Sequence, residues 1–203
     1  SFHFNAWLET FAKRGIEITK EDFTRLFGTR NDFIVRTIMG RKLPQRDVRI
    51  VVQEKEETYR RKATGHIKPF FGAVRLINAL KKGNFRLGLV SSAPRENIDL
   101  VLSELDLVGI FNCIVFGQEV PESKPSPEIY LLAAKRLQVT PNDCVVIEDS
   151  PLGVRAAKTA GMKCLAVTNT HDRENLEEAD IVVDSLENVD LIFSVSIIKT
   201  VRS

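Results

Sequence analysis

Cys144-Val145-Val146-Ile147-Glu148-Asp149-Ser150 is a short apolar run that ends in two adjacent carboxylates. Ser150, Pro151 and Gly153 follow, and then an Ala-rich segment from Val154 to Ala160. An apolar run of this length, bounded by turn residues and followed by a helix, predicts a buried strand of a parallel sheet. In open α/β sheets ligands bind just beyond the carboxyl ends of the strands, so Glu148 and Asp149 sit where chemistry is usually done. Unpaired charge is costly to bury, and hard oxygen ligands of this kind suit Mg²⁺, which takes one or two carboxylates and keeps several waters. The alternative is a solvated loop in which Asp149 or Ser150 caps the next helix, with Pro151 in its first turn.

The segments around this strand repeat its pattern. After Pro69, residues 72–82 read as a helix stopped by Gly83-Asn84. Phe85 to Val90 reads as a strand followed by the polar turn Ser91-Ser92-Ala93-Pro94, and residues 96–107 as a helix. Ile114 to Phe116 is the next strand. Ser126-Pro127-Glu128 supplies an N-cap, a first-position proline and a first-turn acid for a helix to about Leu137. Strands at 164–167 and 181–183 complete the series. Strands alternating with helices of ten or more residues predict a doubly wound parallel sheet, an α/β fold, over residues 67–203.

Residues 1–66 read differently. Phe4, Trp7, Leu8 and Phe11 recur at three- and four-residue intervals and give one apolar helix face. Gly15 ends that helix. Thr19 and Asp22 form a loose capping box for a second, faced by Phe23, Leu26 and Phe27. A turn at Gly28 to Asp32 leads to a third with Ile34, Ile38 and Met39, and Leu43-Pro44 breaks it. Residues 45–62 form a charged helix with Val48, Val51, Val52 and Tyr59 on one side. The expected product is a small bundle of about four helices, with Trp7 in its core.

Bulk properties narrow the function classes. Hydrophobic residues make up 43% and charged residues 28% of the 203-residue chain, as in ordinary globular proteins. The net charge of +2 is interspersed, which argues against a nucleic-acid or membrane partner. No run approaches the ~18 apolar residues of a membrane span, and no signal peptide is recognisable. Cys113, Cys144 and Cys164 lie in apolar, strand-like settings without CxxC spacing. They read as reduced core residues of a cytoplasmic protein.

Three features follow successive strands: Ser91 and Ser92, Lys124 in a Ser-Lys-Pro-Ser-Pro turn, and Glu148-Asp149. Parallel strands bring them to one rim. A hydroxyl with backbone amides, an ammonium and a Mg²⁺-binding carboxylate pair are what a phosphoryl group requires. An ordinary serine turn and a solvated lysine are the alternatives.

These residues carry a family resemblance. The chain resembles a haloacid-dehalogenase-superfamily phosphatase of the β-phosphoglucomutase subgroup. Leu87 to Ser91 matches the second family motif, Lys124 to Pro127 the third, and Glu148 to Gly153 the fourth. Residues 1–66 are similar to the helical cap inserted after the first strand. The resemblance implies Lys124 and Ser91 as catalytic residues, phosphate binding by Ser91, Ser92, Ala93 and Lys124, and Mg²⁺ on Asp149 supported by Glu148. It also implies substrate contacts from Arg30 and Asn31, with Lys55 and His3 aligned to a lysine and a histidine of the mutases. For these cap residues a solvated turn, a surface helix charge and a packed histidine are the respective alternatives. Asn169 and His171 follow the strand at 164–167 as loop residues that could line the site.

The first family motif, Asp-x-Asp-Gly-Thr or Val, is absent from the sequence. It ends the central strand of the sheet and supplies the nucleophile, so that strand is expected to be missing and the chain as it stands to be inactive. A strand of ~5 residues and its turn are expected upstream of Ser1 or, less simply, in trans. Three functions stay open: a Mg²⁺-dependent phosphatase of small phosphorylated metabolites such as sugar or polyol phosphates, a β-phosphoglucomutase-type mutase, and an inactive ligand- or partner-binding relative. The reading favours a monomer.

Overall fold

Apolar spacing in the first part of the chain produces a helical unit. The computed structural model describes residues 2–26, 29–187 and 189, so Phe27 and Gly28 lie outside the described residues. Helix α1 (Phe2–Ala12) is followed by α2 (Lys20–Leu26), α3 (Asn31–Met39) and α4 (Gln45–Ala63). Trp7, Phe11, Val35, Val48 and Val51 meet in one buried cluster, with Phe4, Leu8, Phe23 and Ile38 packed against it. The capping box of α2 is reciprocal. Thr19 N–H donates to Asp22 Oδ2 at 3.1 Å, and Asp22 N–H donates to Thr19 Oγ1 at 3.1 Å. The chain divides into two compact units, residues 1–67 and 68–203.

The second unit alternates helix and strand: α5 (Ala73–Lys82), β1 (Gly88–Ser91), α6 (Arg95–Glu104), β2 (Cys113–Phe116), α7 (Glu128–Leu137), β3 (Val145–Glu148), α8 (Pro151–Thr159), β4 (Lys163–Val167) and β5 (Ile181–Val183). Among the described residues every strand pair is parallel, with Ser91 opposite Phe116 and Glu148 opposite Ala166. The strands form two sheets, β1-β2 and β3-β4-β5, where the sequence pattern predicts one. Helices span the division. On one face, α5 places Leu76 and Leu80 against β3 to β5, and its Val74 and Ile77 against β1, β2 and α6. On the other face, α7 and α8 share a core with Val115, Val146 and Cys164.

Several boundaries differ from the sequence expectation. Phe85 to Leu87 lies outside the strand, because Leu87 N–H donates to the Asn112 side chain at 2.9 Å and Leu87 O accepts from Asn112 N–H at 2.7 Å. Arg86 is turned to the Leu137 carbonyl. Helix α7 starts one residue later than expected, with Pro127 at the N-cap position. Of the cysteines, Cys164 is fully buried, whereas Cys113 and Cys144 are half-buried at strand starts. Among the described residues no helix is long and apolar enough to cross a membrane.

Candidate active site

The carboxyl ends of β1, β2 and β3 carry the predicted residues. Ser91 is the last residue of β1, and its Oγ accepts from Ala93 N–H at 3.1 Å. That bond turns the Ala93 amide onto Ser91, away from its expected use on a phosphoryl oxygen, and leaves the Ser91 proton for a ligand. Gly117, just beyond β2, allows the two strand-end loops to meet. A Cβ there would lie 2.7 Å from the Ser92 carbonyl oxygen, so only glycine fits without displacement.

Lys124 reaches across from the loop after β2 to Glu148 at the end of β3 and pairs with its Oε1. Tyr130, on α7, donates to the same oxygen at 2.6 Å, and its ring lies 4.9 Å from Lys124 Nζ. Glu148 Oε2 accepts from Asp149 N–H at 3.0 Å, Ser150 N–H at 3.1 Å and Ser150 Oγ–H at 2.9 Å. Five donors thus converge on a buried carboxylate. Burial pushes its pKa up, but the Lys124 ammonium and the hydrogen bonds from Lys124, Tyr130 and Ser150 outweigh that and hold Glu148 below its ordinary value. Gly153 completes the arrangement, since a Cβ there would lie 2.0 Å from the Glu148 carboxyl carbon. Ser150 is also the N-cap of α8, its Oγ accepting from Gly153 N–H at 3.1 Å, with Pro151 in the first turn. The helix-cap alternative and the charged cluster therefore coexist in the same few residues.

The adjacent carboxylates are unlike. Asp149 Oδ2 accepts from Thr170 Oγ1–H at 2.9 Å. Burial raises the Asp149 pKa and neighbouring Glu148 adds to the rise, against the opposing Thr170, Lys124 and His171. A half-buried carboxylate in this position gains from a cation. Among the described residues no group of three or more His, Cys, Asp or Glu side chains forms a metal cluster. One or two carboxylates with water and phosphate oxygens are enough for Mg²⁺, so Asp149 is a residue that could hold that ion.

In the helical unit, His3 and Lys55, separated by 52 residues, lie 3.0 Å apart from Nδ1 to Nζ. Lys55 is 2% exposed, which overturns the surface-charge alternative. Its ammonium pairs with Glu56 Oε1 at 2.8 Å and sits 5.3 Å from the Trp7 ring centroid. Burial pulls the Lys55 pKa down, and Glu56 opposes the shift. His3 stacks on Tyr59 with ring centroids 4.1 Å apart. Burial and the nearby Lys55 lower its pKa to about 4. Asn31 donates to Glu56 Oε1 at 2.6 Å, whereas Arg30 pairs with Asp32 at 3.0 Å near the surface. Glu56, Tyr59, Tyr130 and Thr170 are the members of these clusters that sequence reading missed as polar partners. Tyr130 stands three residues after Pro127, one helical turn into α7, which is the signal that could have placed it against the Lys124 turn.

The chain matches the haloacid dehalogenase-like hydrolases over residues 2–167. It belongs to that family. It is 37% identical over 118 residues to validoxylamine A 7'-phosphate phosphatase of Streptomyces hygroscopicus subsp. limoneus, a match covering 58% of this chain and 55% of that protein. The crystal structure of β-phosphoglucomutase from Clostridium difficile is similar at a TM-score of 0.84 and 27% identity, covering 99% of this chain and 90% of that one. A CbbY structure from Rhodobacter sphaeroides, in complex with xylulose-(1,5)bisphosphate, is similar at a TM-score of 0.84 and 29% identity, covering 93% of this chain and 88% of that one. The chain spans about half the length of several curated relatives it matches, 55% in the Streptomyces case. The family and the α/β fold of the β-phosphoglucomutase type are therefore those expected from the motifs.

Proposed function

We propose that the intact protein is a Mg²⁺-dependent phosphatase of small phosphorylated metabolites such as sugar or polyol phosphates. The observation that carries this is the Lys124–Glu148–Tyr130 cluster beside Asp149, at the carboxyl ends of two parallel sheets. It holds one ammonium and one underused carboxylate side by side. Relatives that are phosphatases of small phosphorylated compounds support the reading.

In this reading Lys124 binds a phosphoryl oxygen while Glu148 holds and orients its ammonium. Ser91 donates its hydroxyl proton to a second oxygen. Asp149 would hold Mg²⁺, with Glu148 supporting it through the Asp149 N–H. The ion supplies charge neutralisation at the phosphoryl oxygens. The family's nucleophilic aspartate has no Asp-x-Asp counterpart in the 203 residues, so this chain contributes the phosphoryl- and metal-binding residues of a covalent mechanism. Residues 1–66 act as the cap, with Arg30 and Asn31 as substrate-selecting residues.

The test is hydrolysis of p-nitrophenyl phosphate by the intact protein and by Lys124→Ala and Asp149→Ala. Each substitution removes electrostatic stabilisation of the kind worth about 10²–10³ in kcat. Full turnover in both variants would overturn the site assignment. A mutase is the second reading, favoured by the contact between His3 and Lys55. Conversion of β-glucose 1-phosphate to glucose 6-phosphate at a rate above its hydrolysis would select the mutase. Binding of Mg²⁺ and phosphate without turnover in the intact protein would select the non-catalytic relative.

A further inference from the structure

Asp149 is less tightly held than Glu148. Its carboxylate and its carbonyl are met by two consecutive residues in the loop after β4. Thr170 Oγ1 lies 2.8 Å from the Asp149 carbonyl oxygen and 2.9 Å from Oδ2. His171 Nδ1 lies 3.0 Å from the same carbonyl oxygen and 3.1 Å from Thr170 Oγ1. Donor counting settles who gives what. A threonine hydroxyl has one proton, which serves the two Asp149 oxygens. A carbonyl oxygen only accepts, so a bare Nδ1 at 3.0 Å would repel it. The ring proton therefore belongs on Nδ1, where it serves the Asp149 carbonyl and the Thr170 oxygen. In that tautomer every contact has its donor.

We propose that Thr170 and His171 are positioning residues for Asp149, fixing its carbonyl and Oδ2 so that Oδ1 faces a divalent cation. This rests on the assignment of Asp149 as the Mg²⁺ ligand. The two residues tie Asp149 at two points: Thr170 holds both the carboxylate and the carbonyl, and His171 adds a second bond to the carbonyl. Rotation of the Asp149 side chain then costs the hydroxyl bond, and a shift of its backbone costs the imidazole bond. Both are contacts to a ligand rather than to a ligand's substrate, so their effect should appear in metal affinity before it appears in turnover. Partners of this kind typically change metal affinity 10–100-fold when removed.

The experiment is calorimetric titration of the intact protein with Mg²⁺ alone, comparing the unaltered protein with Asp149→Ala, Thr170→Val, Thr170→Ser and His171→Phe. Thr170→Val keeps the shape and removes the hydroxyl, and is expected to raise the Mg²⁺ Kd about tenfold. Thr170→Ser restores the hydroxyl and should restore the Kd. His171→Phe should weaken binding by a similar factor. Thr170 is exposed and His171 half-buried, and a thermal melt of each variant separates lost affinity from lost folding. Loss of Mg²⁺ binding in Asp149→Ala, with unchanged Kd in Thr170→Val and His171→Phe, overturns the positioning role and leaves the metal assignment standing. Unchanged Kd in Asp149→Ala overturns both.

Discussion

At the scale of single residues, Tyr130 shows how a buried carboxylate is shared. Glu148 Oε1 takes both the Lys124 ammonium and the Tyr130 hydroxyl, and the Tyr130 pKa is raised well above its ordinary value by burial and by Glu148. Tyr130→Phe keeps the ring beneath Lys124 and removes one donor. The expected cost is about 1.5–3 kcal/mol, the range for a hydrogen bond to a charged group, read as a lower midpoint in urea unfolding at constant slope. An unchanged midpoint would show that Glu148 does not depend on this donor. Glu148, Asp149 and Lys124 were legible from charge placed after apolar runs, and Gly153 from its spacing in the matching motif. Tyr130 and Thr170 were not, because a hydroxyl's partner depends on which strand end its element faces. Lys55 reads first as a surface helix charge, since a lysine in a Glu-rich run gives no sign that it lies buried beside Trp7.

At the scale of elements, the β3-to-α8 turn combines a helix start with the candidate site. Ser150 Oγ accepts from Gly153 N–H and donates to Glu148. Ser150→Ala removes the cap and one donor to the buried carboxylate together. A lost cap costs ~1 kcal/mol, and a lost donor to a buried charge about as much again or more. The melting temperature should therefore fall further than for Thr19→Ala, whose hydroxyl likewise caps a helix and donates to a carboxylate, Asp22 at 2.9 Å, but at the exposed start of α2. Equal shifts in the two variants would mean that burial adds nothing to the Ser150–Glu148 bond. Element types were readable because apolar periodicity is local, and so were most helix starts, where Thr19, Pro127 and Pro151 mark the chain. The strand at 85–90 was overextended because its apolar residues do not show that Leu87 bonds to Asn112. Only the packed neighbour decides that.

At the scale of the whole molecule, the parallel α/β pattern followed from alternation, but the division into β1-β2 and β3-β4-β5 did not, because strand neighbours are set by long-range packing. The two units also differ in how they carry charge inside, and this predicts the order in which acid unfolds them. In the helical unit His3 has its pKa lowered from 6.5 to about 4. The unfolded chain then holds the extra proton between those values, so stability is full above pH 6.5 and is lost as pH falls towards 4. The shift corresponds to roughly 3 kcal/mol. In the α/β unit the lowered Glu148 pKa acts with the same sign, but only from below the ordinary carboxylate value of 4.5. Asp149, raised by burial, gains on protonation and offsets part of that loss. The helical unit should therefore yield first. The sequence contains one tryptophan, Trp7, 1% exposed in the helical core, so its fluorescence reports that unit alone. In an acid titration the tryptophan emission should shift to the red at a higher pH than the loss of far-ultraviolet circular dichroism from the whole chain. His3→Phe keeps a ring against Tyr59 and removes the titrating group, and should move the tryptophan transition to lower pH while the α/β transition stays. Coincident transitions, unmoved by His3→Phe, would show that the half-buried histidine does not govern the acid stability of its unit.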